Sequence, residues 1–128
     1  MLGHWTIFEG TPGGVKREQR RITLGMNKTI SLNKVAYEEL GKPIAIELRF
    51  DRNLKRIGLK ATSPECKNAF PIRPKKNSHY RWLAAGAFLT HFGITTQCTV
   101  QFEDVTIDSE GVMVLDINKT TNISRGSR

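Results

Sequence analysis

The sequence has few of the features that mark a membrane protein, a secreted protein or a disulfide-stabilised one. It contains no apolar run of the roughly 18 residues that a membrane-spanning helix needs. Its N-terminus has neither the basic segment nor the long apolar stretch of a signal peptide, so we expect a cytoplasmic protein without membrane contact. Cys66 and Cys98 are the only cysteines, and a chain of this size needs no structural disulfide between them.

The patterns that mark enzymes and metal sites are also missing. His4, His79 and His91 are scattered and show no metal-ligand spacing. The glycine-rich stretch 10–14 is not followed by the Gly-Lys-Ser/Thr of a phosphate-binding loop, and no nucleophile motif is present. The sequence therefore predicts no enzymatic activity, no cofactor and no metal site.

Acidic residues are absent from a long central segment. Between Cys66 and Phe102 there are five bases and no acid, whereas residues 1–60 carry twelve bases and six acids. Residues 103–128 reverse the sign, with five acids and three bases, and the whole chain has a formal net charge of +8. Such an asymmetric excess of positive charge suggests a surface that meets a polyanion, although a positive charge also serves solubility alone.

The sequence contains a degenerate internal repeat. Residues 29–60 and 80–116 each show the pattern of a strand, a short helix ending at glycine, a second strand, a turn and a third strand. Asn33 is a good N-cap for the first helix, and Gly41 is a good C-cap. A unit this small cannot bury its apolar face alone, so the two copies are expected to complete one shared core.

These patterns predict a mostly β (α+β) protein, a small barrel built from two ββαββ-like pseudo-repeats with one short helix each. We expect a single domain over residues 1–118. Its repeats would span 20–60 and 79–117 and would be joined by a linker over 61–78, with a flexible tail over 119–128. The linker has three prolines, and the tail lacks apolar periodicity.

Four short motifs carry a resemblance to a known family. They are Arg21-Ile22-Thr23-Leu24, Ile30-Ser31-Leu32-Asn33-Lys34, Ala36-Tyr37-Glu38-Glu39-Leu40-Gly41 and Arg56-Ile57-Gly58-Leu59-Lys60. Together they resemble the swapped-hairpin module of AbrB-type regulators and MazE-type antitoxins, and two copies in one chain resemble the MraZ arrangement. The resemblance implies DNA binding through basic residues of the N-terminal hairpin, usually by dimers or higher rings.

The sequence departs from that family in several positions. Leu32-Asn33 stands where the module usually has Ile-Pro, and the arginine often found at the helix start is absent. The second copy has no base between Arg81 and the end of its helix, which puts DNA contact by that copy in doubt.

The first candidate nucleic-acid-binding segment precedes and includes the first hairpin. Its bases are Lys16, Arg17, Arg20 and Arg21, with Lys28 at the hairpin tip and Lys34 at the helix start. Long cationic side chains on one surface neutralise phosphates, and a two-stranded ribbon fits the major groove. The alternative is a solvated run of charge on a loop.

The second candidate segment spans residues 73–82. Its bases are Arg73, Lys75, Lys76 and Arg81, interleaved with Tyr80 and Trp82. Cations that follow a backbone and rings that stack on unpaired bases suit single strands or RNA. Tyr80 and Trp82 share a strand face, so at least one of them is expected to lie in the core.

The sequence as a whole predicts a double-stranded DNA-binding protein, a prokaryotic or phage transcriptional regulator that assembles as a homodimer or higher oligomer. The alternative from another class is a protein-interaction or assembly module whose basic face meets an acidic partner. Binding of RNA or single strands through residues 73–82 is a third alternative.

Overall fold

The computed structural model describes residues 19–123, so Lys16, Arg17 and the strand predicted from Trp5 lie outside the described residues. Eleven short strands and two helices of six residues each follow in chain order within this range. They are β1 (Ile22–Leu24), β2 (Thr29–Leu32), α1 (Lys34–Glu39), β3 (Ala45–Asp51), β4 (Arg56–Thr62), β5 (Ala69–Pro71), β6 (Arg73–Pro74), β7 (Arg81–Ala84), α2 (Gly86–His91), β8 (Val100–Phe102), β9 (Thr106–Ile107), β10 (Met113–Asp116) and β11 (Thr120–Asn122). The prediction of a mostly β protein with two short helices is confirmed.

The strands form two open sheets. The six-stranded sheet has the order β11-β8-β1-β2-β7-β6, and the five-stranded sheet has the order β5-β3-β4-β10-β9. A barrel needs its first and last strands to pair with each other. Because neither sheet closes on itself, the predicted small barrel is not confirmed, and two sheets enclose the core instead.

The two repeats meet through equivalent strands. β2 pairs antiparallel with β7 around Ile30 and Leu83, and β4 pairs antiparallel with β10 around Gly58 and Val114. Antiparallel pairing of a strand with its own counterpart is the arrangement that a two-fold axis produces. Each sheet therefore contains a pair formed by one strand of each repeat, and buried residues of both repeats form one core.

The second repeat departs from the first at Asp104. The sequence predicts one strand from Val100 to Ile107, but β8 ends at Phe102 and joins the six-stranded sheet, whereas β9 joins the five-stranded sheet. Asp104 has φ 54°, in the left-handed region that interrupts an extended strand. The chain therefore crosses from one sheet to the other at this residue.

The predicted linker and tail also contribute strands. Within residues 61–78, β5 pairs with β3, and Phe70 lies opposite the buried Ile46. Within residues 119–128, β11 pairs with β8 through the β-branched Thr120 and Thr121. The apolar side chain of Phe70 stabilises β5, and the strand propensity of threonine stabilises β11. The composition of the linker and the tail did not predict either strand.

The core lies between the two sheets and the helices. The side chains with no exposed surface come from both repeats, among them Ile22, Ile30, Ile57, Leu83 and Leu115. No helix in the described part of the chain is long and apolar enough to cross a membrane. Cys66 and Cys98 are both free thiols.

Asn33 is the one polar residue among the buried side chains of residues 19–123, and it starts α1 as predicted. Its Oδ1 accepts hydrogen bonds from the backbone N–H groups of Ala36 and Arg21, each at 3.0 Å. Its Nδ2 donates to the backbone carbonyl of Gln19 at 2.7 Å. One side chain thus caps the helix and also fixes the segment that enters β1.

Candidate nucleic-acid interface

Strand alternation divides the six-stranded sheet into two faces. On β1, Ile22 and Leu24 are buried in the core, so Thr23 between them points to the opposite side. On β7, Leu83 is buried, and the half-buried Trp82 points to the opposite side. We call the side that carries Thr23 and Trp82 the outer face of the six-stranded sheet.

One row of side chains crosses all six strands on this outer face. The strand register places opposite each other, in order from β11 to β6, the residues Thr121, Gln101, Thr23, Ser31, Trp82 and Arg73. Neighbouring strands lie about 4.8 Å apart, so the side chains in such a row are neighbours on the surface. The row is polar except for Trp82, which lies between Ser31 and Arg73.

The next row adds further charge and a second aromatic ring. Arg21 is two residues before Thr23, Tyr80 is two residues before Trp82, and Lys75 is two residues after Arg73, so each lies on the same face. The backbone N–H of Lys75 donates to the carbonyl of Tyr80 at 3.0 Å, which continues the β6–β7 ladder to this row. Arg21, Arg73 and Lys75 thus share one face with Trp82 and Tyr80.

These three cations have no anionic partner among the described residues. The hydrogen bonds and ion pairs within residues 19–123 leave the side chains of Arg21, Arg73 and Lys75 without an acceptor, and Arg73 and Lys75 are exposed. The outer face of the five-stranded sheet is different. There, Arg49 pairs with Glu47 at 2.8 Å and Arg56 pairs with Asp116 at 3.7 Å.

The alternation of side chains along a strand directs two of the predicted bases, Arg20 and Arg81, away from the outer face. Arg20 shares its side of the chain with the buried Ile22, and its guanidinium binds the Glu39 carboxylate and donates to the carbonyl of Val105 at 2.8 Å. It joins α1 to the crossover between β8 and β9. The sequence analysis placed this structural arginine in the same binding segment as its neighbour Arg21.

Arg81 lies on the side of the buried Leu83. Its guanidinium lies 4.8 Å from the centroid of the Tyr37 ring on α1, a cation–π contact between the two repeats. The structure therefore gives Arg81 an intramolecular partner rather than a place on the outer face.

The remaining predicted bases lie around the edges. Lys28, in the β1–β2 turn, donates from Nζ to Thr90 Oγ1 at 2.9 Å and so connects the hairpin tip to α2. Lys34 is exposed at the start of α1, and Lys76 is exposed in the turn between β6 and β7. Lys76 and Lys75 are neighbours, so this turn extends the positive charge beyond the edge of the sheet.

The outer face contains a shallow groove of about 420 Å³ over β1, β2 and β7. Its lining includes the hydroxyl-bearing residues Thr23, Thr29 and Ser31 together with Trp82 and Lys75. A larger cavity of about 880 Å³ lies between α1 and the β8–β9 crossover. It carries Glu38, Glu39, Glu103 and Asp104, and this negative charge makes it unsuitable for a polyanion.

The sequence did not single out the hydroxyl residues or the shared face. It did single out Trp82 and Tyr80 beside bases, but it expected at least one of them in the core, and both are half-buried on the outer face. The sequence signal that could have identified this face is the alternation of apolar Ile22 and Leu24 with polar Arg21 and Thr23. It assigns Arg21 to the side opposite the core, but it does not say which strands lie beside β1.

No group of side chains suited to a metal ion occurs in the 19–123 region. Asp108, in the turn between β9 and β10, has its pKa lowered chiefly by the hydrogen bond from the backbone N–H of Val112. This carboxylate closes the turn predicted over residues 108–111 and is remote from the outer face.

Comparisons of the chain with models of protein families, with curated proteins and with solved structures found no match.

Proposed function

We propose that this protein binds nucleic acid through the outer face of its six-stranded sheet. The observation that carries the proposal is the convergence of Arg21, Arg73 and Lys75 on one open face, although they come from segments fifty residues apart. Without an acidic partner among the described residues, these side chains are available to phosphate groups.

Charge pairing distinguishes the cations of this face from the two arginines on the outer face of the five-stranded sheet. Cations that already form ion pairs, such as Arg49 and Arg56, gain less from a phosphate because an existing contact must first be broken. Unpaired cations release condensed counterions from the nucleic acid on binding, which makes affinity fall steeply with salt. Arg21 lies three strands away from Arg73, about 14 Å at the usual strand spacing, so the face can follow an extended backbone.

Double-stranded DNA, the ligand predicted from the sequence, remains a proposal. It would use the hairpin tips as well as the sheet, with Lys76 and the exposed Lys34 nearest to a duplex. Arg20 and Lys28 belong to the same predicted set but have intramolecular partners. A role as a transcriptional regulator, a homodimeric or higher assembly and the likeness to swapped-hairpin proteins stay predictions of the sequence.

The experiment that tests the proposal compares two double variants by fluorescence anisotropy over a salt series. Arg73→Ala with Lys75→Ala removes two cations from the outer face, and Arg49→Ala with Arg56→Ala removes two from the opposite sheet. With labelled duplex DNA, single-stranded DNA and RNA as ligands, we expect only the first variant to flatten the slope of log affinity against log salt. Two lost phosphate contacts reduce that slope by about 1.4 to 1.8.

Equal slopes for the two double variants would contradict the proposal, because both lower the net charge by two. No binding of the unmodified chain to any of the three ligands at low salt would also contradict it. That second result would favour the alternative function, an assembly module with an acidic protein partner.

A further inference from the structure

Trp82 occupies an unusual position at the centre of the outer face. It is half-buried, yet it makes none of the ring contacts within residues 19–123, which involve Phe50, Phe88, Phe92 and Tyr37 instead. No described residue accepts a hydrogen bond from its indole N–H. Trp82 is therefore partly exposed beside Arg73 and has no ring or hydrogen-bonding partner among the described residues.

The residues that the strand register places beside Trp82 carry groups that suit a nucleotide. Arg73 lies directly opposite Trp82 on β6, and Ser31 lies directly opposite on β2. Lys75 and Trp82 also line the same groove. A base stacked on the indole would therefore have its phosphate within reach of Arg73 or Lys75 and its sugar towards the hydroxyl groups of β2.

Base stacking on Trp82 requires an unpaired strand. In a duplex, the faces of the bases are covered by their neighbours and only the groove edges and the phosphates are exposed. An open sheet with aromatic side chains between cations instead suits a single strand, whose bases turn outward and stack on the rings. The outer face is a broad surface of six strands rather than a narrow ribbon for a groove.

The hydroxyl groups beside Trp82 suit a ribose better than a deoxyribose. Thr23, Thr29 and Ser31 line the groove beside Trp82, and their hydroxyls form no hydrogen bond with the described residues. A hydroxyl both donates and accepts, and so does a ribose 2′-hydroxyl, which deoxyribose lacks.

We infer that the outer face binds single-stranded RNA, with one base stacked on Trp82, the phosphates at Arg73 and Lys75, and a ribose hydroxyl among Thr23, Thr29 and Ser31. This inference depends on the proposed nucleic-acid binding and names its ligand. Tyr80, in the neighbouring row beside Lys75, is placed to stack on the next base.

The test uses the full chain carrying Trp5→Phe, so that Trp82 is its only tryptophan. Titration with a uridine oligonucleotide should quench the fluorescence of Trp82 at low salt, as stacking on a base requires. The deoxyuridine oligonucleotide of the same length differs only in the 2′-hydroxyl. We expect it to bind about two- to tenfold more weakly, as the loss of a hydrogen bond implies.

Matched variants at Trp82 separate stacking from charge. Trp82→Ala should weaken uridine oligonucleotide binding by about 5- to 150-fold and leave the salt slope unchanged, and Trp82→Phe should retain most of the affinity. Ser31→Ala with Thr23→Val should remove the preference for RNA over DNA. Circular dichroism checks that each variant is folded, and Trp82→Phe keeps the test valid if Trp82→Ala is not.

Several results would overturn the inference. The first two are the absence of Trp82 quenching and equal affinity of the wild type and a folded Trp82→Ala variant. The others are tighter binding of a duplex than of the single strand, and binding of the deoxyuridine oligonucleotide that equals or exceeds that of the uridine oligonucleotide. A duplex that binds more tightly than the single strand, with the cation dependence described above, would overturn this inference and leave the proposed function standing. Absence of binding to every nucleic acid would overturn both.

Discussion

Adjacent residues of the same type have different roles in this protein. Arg20 and Arg21 enter β1 side by side, but Arg20 contacts Glu39 and the Val105 carbonyl, whereas Arg21 faces away from the core. The alternation of a strand separates them by face, and the position of α1 decides which one finds a partner. At this scale, function depends on the face of the strand rather than on the number of bases in a segment.

Asn33 connects the candidate site to the first helix by hydrogen bonds. It caps α1 through Ala36 and also holds the backbone at Gln19 and Arg21. Because Asn33 fixes the strand entry, it also fixes the direction in which Arg21 leaves the backbone.

Asn33→Ala should lower the free energy of unfolding by roughly 2 to 4 kcal/mol, since it removes the helix cap at the buried N–H of Ala36 and the partners of the part-buried Arg21 N–H and Gln19 carbonyl. Urea denaturation followed by circular dichroism measures this change. Lys34→Ala is the control, because Lys34 is exposed, and we expect a change within about 0.5 kcal/mol. Equal effects of the two substitutions would show that Asn33 has no such role.

At the scale of elements, the β2–β7 and β4–β10 strand pairs join the two repeats. β4 carries Gly58 opposite Val114 of β10. A Cβ atom at Gly58 would lie 2.9 Å from Cγ1 of Val112, closer than side-chain atoms normally approach. Val112 is buried, so the two repeats pack too closely here for any larger residue.

Gly58→Ala should therefore destabilise the protein by about 1 to 3 kcal/mol, although alanine is otherwise better tolerated than glycine inside a strand. The same substitution should cost less in a Val112→Ala background, with a coupling of at least about 0.5 kcal/mol, because the clashing methyl group is then absent. Thermal denaturation of the four proteins in this cycle supplies the comparison. Strictly additive effects would contradict close packing between Gly58 and Val112.

Local elements were predictable from the sequence, and their partners were not. The alternation of Ile46, Leu48 and Phe50 predicted β3 and its hairpin with β4, and the structure contains both. The break at Asp104 was not predicted because an aspartate in a left-handed conformation leaves no apolar signature. Thr120 and Thr121 were assigned to a tail because their pairing partner, β8, lies some twenty residues earlier.

For the candidate site, too, the local segments were predictable and their pairing was not. Both basic segments were predicted, but their union on one face depends on the β2–β7 pairing, which joins residues fifty positions apart. Composition and spacing contain no information about that register. Trp82 was assigned to either core or surface for the same reason, since only the neighbouring strands decide which face is covered.

At the scale of the whole molecule, the two sheets share a core but differ in charge. The outer face of the five-stranded sheet pairs its arginines with Glu47 and Asp116. The outer face of the six-stranded sheet leaves Arg21, Arg73 and Lys75 without such partners among the described residues. This difference in charge pairing is why we propose that the six-stranded sheet, rather than the five-stranded sheet, meets a polyanion.

The most direct test of this account is a nuclear magnetic resonance titration of the isotope-labelled full chain with the uridine oligonucleotide, following each backbone amide and the Trp82 indole N–H. The account predicts that the largest chemical-shift changes occur at Arg21, Thr23, Ser31, Arg73 and Trp82, with little change on β3, β4 and β10. Larger changes on the five-stranded sheet than on the six-stranded sheet would contradict it.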